Sequence, residues 1–139
     1  MRLVVVTNVL ISALLVQNSL PAQLIALWRE GRFVLLTAPE QLDELRRVTR
    51  YPKIRERLTP ALAGRLINEL REVAVLVRDL PEVSLCADPN DNYLLGLAQA
   101  GAADWLVTGD KSDLLGLRSH GRARIDTVRE FLTSIGRQP

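Results

Sequence analysis

The stretch from Asp88 to Leu115 carries the residues whose types and spacing could do chemistry. Asp88 and Asp91 lie at the start of an apolar-periodic segment that predicts a helix. The short apolar run that follows predicts a buried strand, and Asp110 and Asp113 come directly after it. In a parallel sheet, the start of a crossover helix and the carboxyl end of a strand lie at the same edge. We therefore expect Asp91 and Asp110 to approach each other, which usually indicates a bound divalent cation.

Glu44 is a further acidic candidate, on a helix predicted to follow the second strand. Glu44, Asp91 and Asp110 should gather at one edge of the sheet as metal ligands and catalytic residues. Mg²⁺ and Mn²⁺ prefer oxygen ligands and keep several waters, which suits a few carboxylates without histidine. Such a site can activate water and stabilise an in-line displacement at phosphorus. The polar residues expected beside the ion, orienting water or a carboxylate, are Asn8, Thr108, Asp88 and Asp113.

Each acidic candidate also has a simpler structural interpretation. Asp91 could favour a helix N-terminus, and Asp110 could be a turn residue after a strand. Glu44 taken alone is an ordinary surface glutamate of a helix. Asp88 would form a turn before a proline, and Asp113 would cap the turn over residues 114–117. The sequence leaves these alternatives open.

Arginine dominates the basic residues, since all but two of the 18 cations are arginine, and its planar fork suits phosphate. One basic run indicates phosphate-backbone binding, although a solvated face or a contact for an acidic partner remains open. That run contains Arg46, Arg47, Arg50, Lys53, Arg55 and Arg57. A second cluster follows Asp113 in the sequence and is therefore favoured for substrate binding. Its members are Arg118, Arg122 and Arg124.

Short apolar runs alternate with longer periodic segments, which predicts an α/β fold with a parallel sheet and helices on both faces. The predicted strands are 2–6, 33–36, 74–77, 105–107 and an edge strand at 124–125. The predicted helices are 9–16, 22–30, 39–49, 53–58, 60–73, one ending at Gly101, and 128–135. The expected residues at helix starts are Thr7 or Asn8, Ser19, Thr37, Thr59, and Asp126 or Thr127. We find no linker or repeat, so residues 1–139 are expected to form one domain.

The composition excludes several function classes. Hydrophobic residues make up 47%, which excludes disorder, and no apolar run approaches the ~20 residues of a membrane span. The chain has one cysteine, Cys86, and one histidine, His120, which excludes a disulfide framework and a Cys/His zinc site. The N-terminus reads as a strand without signal-peptide features, so a cytoplasmic location is the default expectation.

The chain resembles the PIN-domain family, and its nearest branch looks like the toxin components of bacterial toxin–antitoxin operons. Four segments carry the resemblance: RLVVVTNVLISALL, APEQLDELRRVTRYPKI, DPNDNYLLGLAQAGAADWLVTGDKSDLL and DTVREFL. The resemblance implies a three-layer α/β/α sandwich, RNA cleavage dependent on Mg²⁺ or Mn²⁺, dimerisation and inhibition by a cognate antitoxin. By position, Glu44, Asp91 and Asp110 match the family's acidic residues. The matching polar positions are Asn8, Thr108 and Asp113.

Val6 departs from the family pattern, which places an aspartate directly before the Thr-Asn pair at the end of the first strand. Glu30 is the first acidic residue of the chain, so no local substitute is present. Removing one anion from a cation site weakens metal binding. We therefore predict weak or absent nuclease activity on a nuclease scaffold.

Two alternatives to a metal-dependent endoribonuclease remain. The first is a non-catalytic module that keeps the fold and binds RNA or an antitoxin, which Val6 favours. The second is a phospho-acceptor or phosphatase domain, which would need a nucleophilic aspartate at the end of an early strand. The apolar surfaces of the helices at 21–30 and 60–73 predict a partner, either a second copy or an antitoxin.

Overall fold

The computed structural model describes residues 1–109 and 112–136 and shows a six-stranded sheet surrounded by helices. The strands are β1 Arg2–Val5, β2 Val34–Thr37, β3 Val75–Leu76, β4 Trp105–Thr108, β5 Ser119–His120 and β6 Ala123–Thr127. The helices are α1 Thr7–Leu15, α2 Leu20–Arg29, α3 Pro39–Val48, α4 Pro52–Arg55, α5 Pro60–Val73, α6 Asn92–Ala100, α7 Ser112–Leu115 and α8 Val128–Ser134. A single 3₁₀ turn, Pro89–Asp91, precedes α6.

The strand order is β3-β2-β1-β4-β6-β5, and all neighbouring strands are parallel except β5 and β6. The central strand β1 is buried on both faces, and Leu3 and Val4 are fully inaccessible. A strand with no polar face is expected at the centre of a parallel sheet. The ends of β1, β2, β4 and β6 therefore meet at one edge, which we call the carboxyl edge.

Helices cover both faces of the sheet, so the fold is the three-layer α/β/α sandwich expected from the sequence. Helices α1 and α2 pack against each other, and α2 contacts α8. Helix α6 packs across β1, β2 and β4. Phe131 of α8 makes edge-to-face contacts with Phe33 and Trp105, which fixes α8 on the sheet.

The prediction of an edge strand at residues 124–125 is wrong, because β6 is longer and lies between β4 and β5. A two-residue turn joins β5 to β6, and its first residue, Gly121, has a φ of +58°. This backbone conformation favours glycine and closes tight hairpins. Strand β5 has only two residues, which is too short for a hydrophobic pattern to indicate it.

Three predicted helix caps are confirmed. The hydroxyls of Ser19, Thr59 and Thr127 accept backbone N–H groups in the first turns of α2, α5 and α8. Each of these hydroxyls satisfies a donor that has no partner within its helix.

The predicted cap of α1 is wrong, because the Thr7 hydroxyl donates to Glu44, whereas Thr37 lies just ahead of α3, as the sequence allowed. Helix α1 begins at Thr7, and its N-cap residue is Val6, which offers no side-chain hydrogen bond. Helix α3 begins after Ala38, while the Thr37 hydroxyl donates to Gln41 instead. Both helices therefore begin without a side-chain cap.

No single helix in residues 1–109 and 112–136 is long and apolar enough to cross a membrane. Helices α1 and α2 together are long and apolar enough to span a membrane, but they are bent by 99° relative to each other.

Candidate functional site

The Glu44 carboxylate lies at the carboxyl edge and accepts two hydroxyl groups on the same oxygen. Thr7 Oγ1 donates to Glu44 Oε1 at 2.5 Å, and the Tyr93 hydroxyl donates to it at 2.5 Å. The two hydroxyl oxygens are 3.2 Å apart. Three separate elements supply these side chains, since Thr7 starts α1, Glu44 lies in α3 and Tyr93 lies in α6. We call this group the Thr7–Glu44–Tyr93 cluster.

Asp91 lies next to this cluster and is almost completely buried, with 4% of its surface exposed. Burial raises the pKa of Tyr93, and the hydrogen bond to Glu44 raises it further. The negative charge of Asp91 also raises this pKa. The Tyr93 phenol is therefore held in its neutral, hydrogen-bond-donating form. The structure thus brings the acidic residues of α3 and of the 3₁₀ turn to one tyrosine.

Two further acidic candidates of the central stretch are Asp110 and Asp88. Asp110 lies outside the described residues. Asp88 is exposed, and its carboxylate accepts the Asn90 N–H at 3.0 Å, which caps the 3₁₀ turn. This contact supports the simpler interpretation of Asp88 as a turn former.

The end of β1 is held by buried hydrogen bonds, and Val6 belongs to the core. The Val6 N–H donates to Val107 O at 3.0 Å, and only 1% of the Val6 surface is exposed. Gln41 Nε2 donates to Val5 O at 2.7 Å. A branched apolar side chain therefore stands directly before Thr7, next to the hydroxyl that contacts Glu44.

Two buried polar atoms near the end of β4 have no hydrogen-bond partner. They are Thr108 Oγ1 and Asp113 Oδ2. Asp113 lies inside α7 rather than capping the turn over 114–117, so that expectation is wrong. A cavity of about 380 Å³ lies at the same edge, and Asn8, Thr108 and Arg129 line it together with the ends of β4 and β6. Unsatisfied buried groups are rare in native proteins, so a polar ligand at this edge is chemically favourable.

Arg122 and Arg124, two members of the arginine cluster at 118–124, form ion pairs with other carboxylates, and their role in substrate binding remains a prediction. In the sheet, Arg124 of β6 lies opposite Trp105, the first residue of β4. Trp105 is three residues before Thr108, so the Arg124 backbone lies ~10 Å from the end of β4. Arg122 forms an ion pair with Asp104 at 2.8 Å, and Arg124 forms one with Asp126 at 3.0 Å. The Asp104 carboxylate also accepts the Arg2 N–H, which lowers the pKa of Asp104.

Arg118 differs from the other two members of this cluster. Its side chain is exposed, and its backbone carbonyl accepts the Ile125 N–H, which places it beside the middle of β6. Its role in substrate binding remains a prediction.

The described residues do not by themselves fit a divalent cation. No group of three or more Asp, Glu, His or Cys side chains that could hold a metal exists in residues 1–109 and 112–136. Glu44 and Asp91 supply two carboxylates, and Val6 supplies no oxygen. Among these residues no hydrogen bond reaches Glu44 Oε2, so one carboxylate oxygen remains open to a ligand.

Sequence reasoning missed three polar residues of this region. Tyr93 was expected in the apolar stripe of α6, yet its hydroxyl contacts Glu44. Gln41, which is 1% exposed, joins Thr37 to the end of β1. Asp126 is 3% exposed and accepts the Trp105 indole N–H at 3.2 Å, so it does not cap α8. The only local signal was that each of these polar residues occupies a position that the periodicity of its helix or strand assigns to the core.

Comparisons with known proteins agree with the fold. A family model described as "PIN domain" matches residues 2–112. The chain is also 29% identical over 140 residues to Uncharacterized protein MJ1680 of Methanocaldococcus jannaschii, covering 94% of this chain and 89% of that protein. No solved structure matches the chain significantly.

Proposed function

The chain belongs to the PIN domain family, and on that premise we propose that it is a toxin–antitoxin ribonuclease scaffold whose activity Val6 weakens. Its substrate would be the phosphodiester backbone of RNA, and its cofactor would be Mg²⁺ or Mn²⁺. PIN domains have a nuclease-like fold and generally use divalent metal ions. The observation that carries the proposal is the convergence of Glu44 and Asp91 on Tyr93 at the carboxyl edge.

The side chains present have defined tasks in this proposal. Thr7 and Tyr93 fix one oxygen of Glu44, so the carboxylate keeps one orientation and presents its second oxygen to the site. Thr108 and Asn8 line the adjacent cavity and offer polar groups to water or to a phosphate. Glu44 and Asp91 would hold a divalent cation there, which would supply activation of water and charge stabilisation at phosphorus.

Val6 is the reason to expect weak or absent cleavage. The family's aspartate would add an anion directly before Thr7, where this chain has a buried apolar side chain. Hard divalent cations gain affinity with each carboxylate ligand, and two carboxylates without a third leave coordination positions to water. Asp110 remains a predicted ligand.

The second candidate function is a catalytically inactive PIN module that binds RNA or an antitoxin. Val6 and the absence of a three-carboxylate group in the described residues favour it. Under this alternative the Thr7–Glu44–Tyr93 cluster is a buried structural network and no ion is required. A cognate antitoxin and a second copy of the chain are the partners that we propose in either case.

The Val6→Asp variant tests the proposed function. We expect V6D to cleave single-stranded RNA at least ~10-fold faster than the unchanged chain in Mg²⁺ or Mn²⁺, because the added anion strengthens cation binding. V6N is the matched control, since it adds a polar group of similar size without charge. Adding D91N to V6D should abolish the gain. Equal cleavage by the unchanged chain and V6D would contradict our account of the site.

Isothermal titration with Mn²⁺ separates the two candidate functions. The ribonuclease scaffold should bind Mn²⁺ weakly as it stands and clearly tighter as V6D. The inactive module should show no binding in either form, while both forms keep the same circular dichroism spectrum. Absence of Mn²⁺ binding to V6D would therefore leave the binding module as the better description.

A further inference from the structure

A second cavity, of about 220 Å³, lies between α3, α4 and α5 and is separate from the acidic residues. Arg46, Arg50 and Arg55 line one side of it. Ala63 and Ile67 of α5 are buried beneath it, and the first turn of α5 borders it at Pro60. Three arginines thus line a concave surface of a size that suits a single anionic group.

The positive charge of the protein is concentrated around this cavity. Residues 46–57 contain six cations and one acidic residue, Glu56, whereas the whole chain has a net charge of +2. The rest of the chain is therefore net negative. Arg46 forms an exposed ion pair with Asp43 at 3.0 Å, and Arg50 and Arg55 form none with the described residues. Unpaired cations that repel one another indicate an anionic ligand.

Helix electrostatics account for only part of this arrangement. Arg46 lies in the last turn of α3, where a cation stabilises the helix dipole, but Arg50 lies beyond the end of that helix. The N-terminus of the 14-residue helix α5 faces the same cavity through Pro60, and its partial positive charge adds to that of the arginines. The Thr49 hydroxyl is already used, since it donates to Leu45 O at 2.6 Å.

We propose that Arg46, Arg50 and Arg55 bind a phosphate group of an RNA backbone, and this inference rests on the proposed function. Guanidinium groups bind phosphate through paired hydrogen bonds, and each neutralised phosphate releases counterions. RNA is favoured over an acidic protein because the concave cavity is of a size for a single phosphate, which the planar guanidinium fork matches through paired hydrogen bonds.

The experiment measures binding of a fluorescein-labelled single-stranded RNA by anisotropy, in EDTA and at several salt concentrations. We expect R50Q/R55Q to bind ~10-fold more weakly at low salt. The slope of log K against log salt should become shallower by ~0.7, since one phosphate contact on a single strand contributes ~0.7. The matched control is R32Q/R65Q, which removes the same charge from two exposed arginines that do not line the cavity. This control should bind within about twofold of the unchanged chain.

Three outcomes would overturn the inference. The first is an equal loss of RNA affinity in both double variants, and the second is no RNA binding by the unchanged chain. The third is that polyglutamate displaces the labelled RNA more strongly than polyphosphate does. The last result would identify an acidic protein segment as the ligand. Because the assay contains no divalent cation, it is independent of cleavage. If V6D fails to cleave RNA, the two double variants can still differ in RNA affinity. If the two double variants bind RNA equally, V6D can still cleave it.

Discussion

At the scale of single residues, two hydroxyl groups hold the Glu44 carboxylate. Among the described residues no Arg or Lys forms an ion pair with it, so Thr7 and Tyr93 provide its hydrogen bonds. Hydrogen bonds to a charged group contribute roughly 1.5–3 kcal/mol each. The carboxylate is therefore fixed without its negative charge being neutralised, which keeps it available to a cationic ligand.

The ionisation of Tyr93 gives a prediction at this scale. Because its pKa is raised in the folded state, the folded protein keeps the proton that an unfolded tyrosine loses near pH ~10. The contribution of Tyr93 to stability is complete below that pH and is lost as pH rises toward the folded-state pKa. In Y51F, which leaves Tyr93 as the one tyrosine, phenolate absorbance should appear together with the loss of far-UV circular dichroism.

Y93F is the control for this titration, since it retains the exposed Tyr51. Its phenolate absorbance should appear while the protein is still folded. A folded Y51F protein that ionises near pH 10 would show that Tyr93 is not buried against Glu44.

At the scale of elements, the junction of β6 and α8 borders the cavity at the carboxyl edge. The Thr127 hydroxyl accepts the Glu130 N–H at 3.1 Å, and the Glu130 carboxylate accepts the Thr127 N–H at 3.0 Å. This reciprocal pair satisfies two donors at the start of α8. It also lowers the pKa of Glu130, through the hydrogen bond from the Thr127 backbone first. The pair thus sets the angle at which α8 leaves the sheet.

The Thr127→Ala variant should lower the free energy of unfolding by about 1 kcal/mol, because the N-cap hydroxyl is lost. Urea denaturation monitored by circular dichroism measures this change. The matched control is T133A, which removes an exposed hydroxyl from the last part of the same helix. If T133A costs as much as T127A, the capping pair does not stabilise α8.

At the scale of the whole molecule, the two edges of the sheet differ. The β5–β6 hairpin forms one edge, and the two-residue strand β3 forms the other. Val73, Val75 and Leu76 are exposed at the β3 edge, which is an unpaired and apolar surface. The apolar surface expected on α2 is instead buried in the core, as are Leu24 and Trp28.

We expect the protein to be a dimer that uses the β3 edge, and multi-angle light scattering measures its mass. V75K should shift the population toward the monomer, because charge on an edge strand opposes pairing. The matched control is V16K, which changes a valine of similar exposure at the end of α1. A monomeric unchanged chain, or an equal effect of both variants, would contradict this assignment.

The sequence by itself determined most of the elements, the fold class and several helix starts. Periodicity and caps act between residues a few positions apart, so Ser19, Thr59 and Thr127 could be identified from local sequence. The parallel sheet with helices on both faces followed from the alternation of strands and helices. The segments that resemble the PIN family also gave the positions of Glu44 and Asp91.

Only the tertiary structure decided the partners of these residues. The hydrogen bonds of Glu44 join positions that are 37 and 49 residues apart, and that of Thr7 to Tyr93 spans 86. No local pattern encodes such pairs, since they depend on how two crossover helices approach the sheet. For the same reason no local pattern indicated the ion pair of Arg122 with Asp104, which are 18 residues apart.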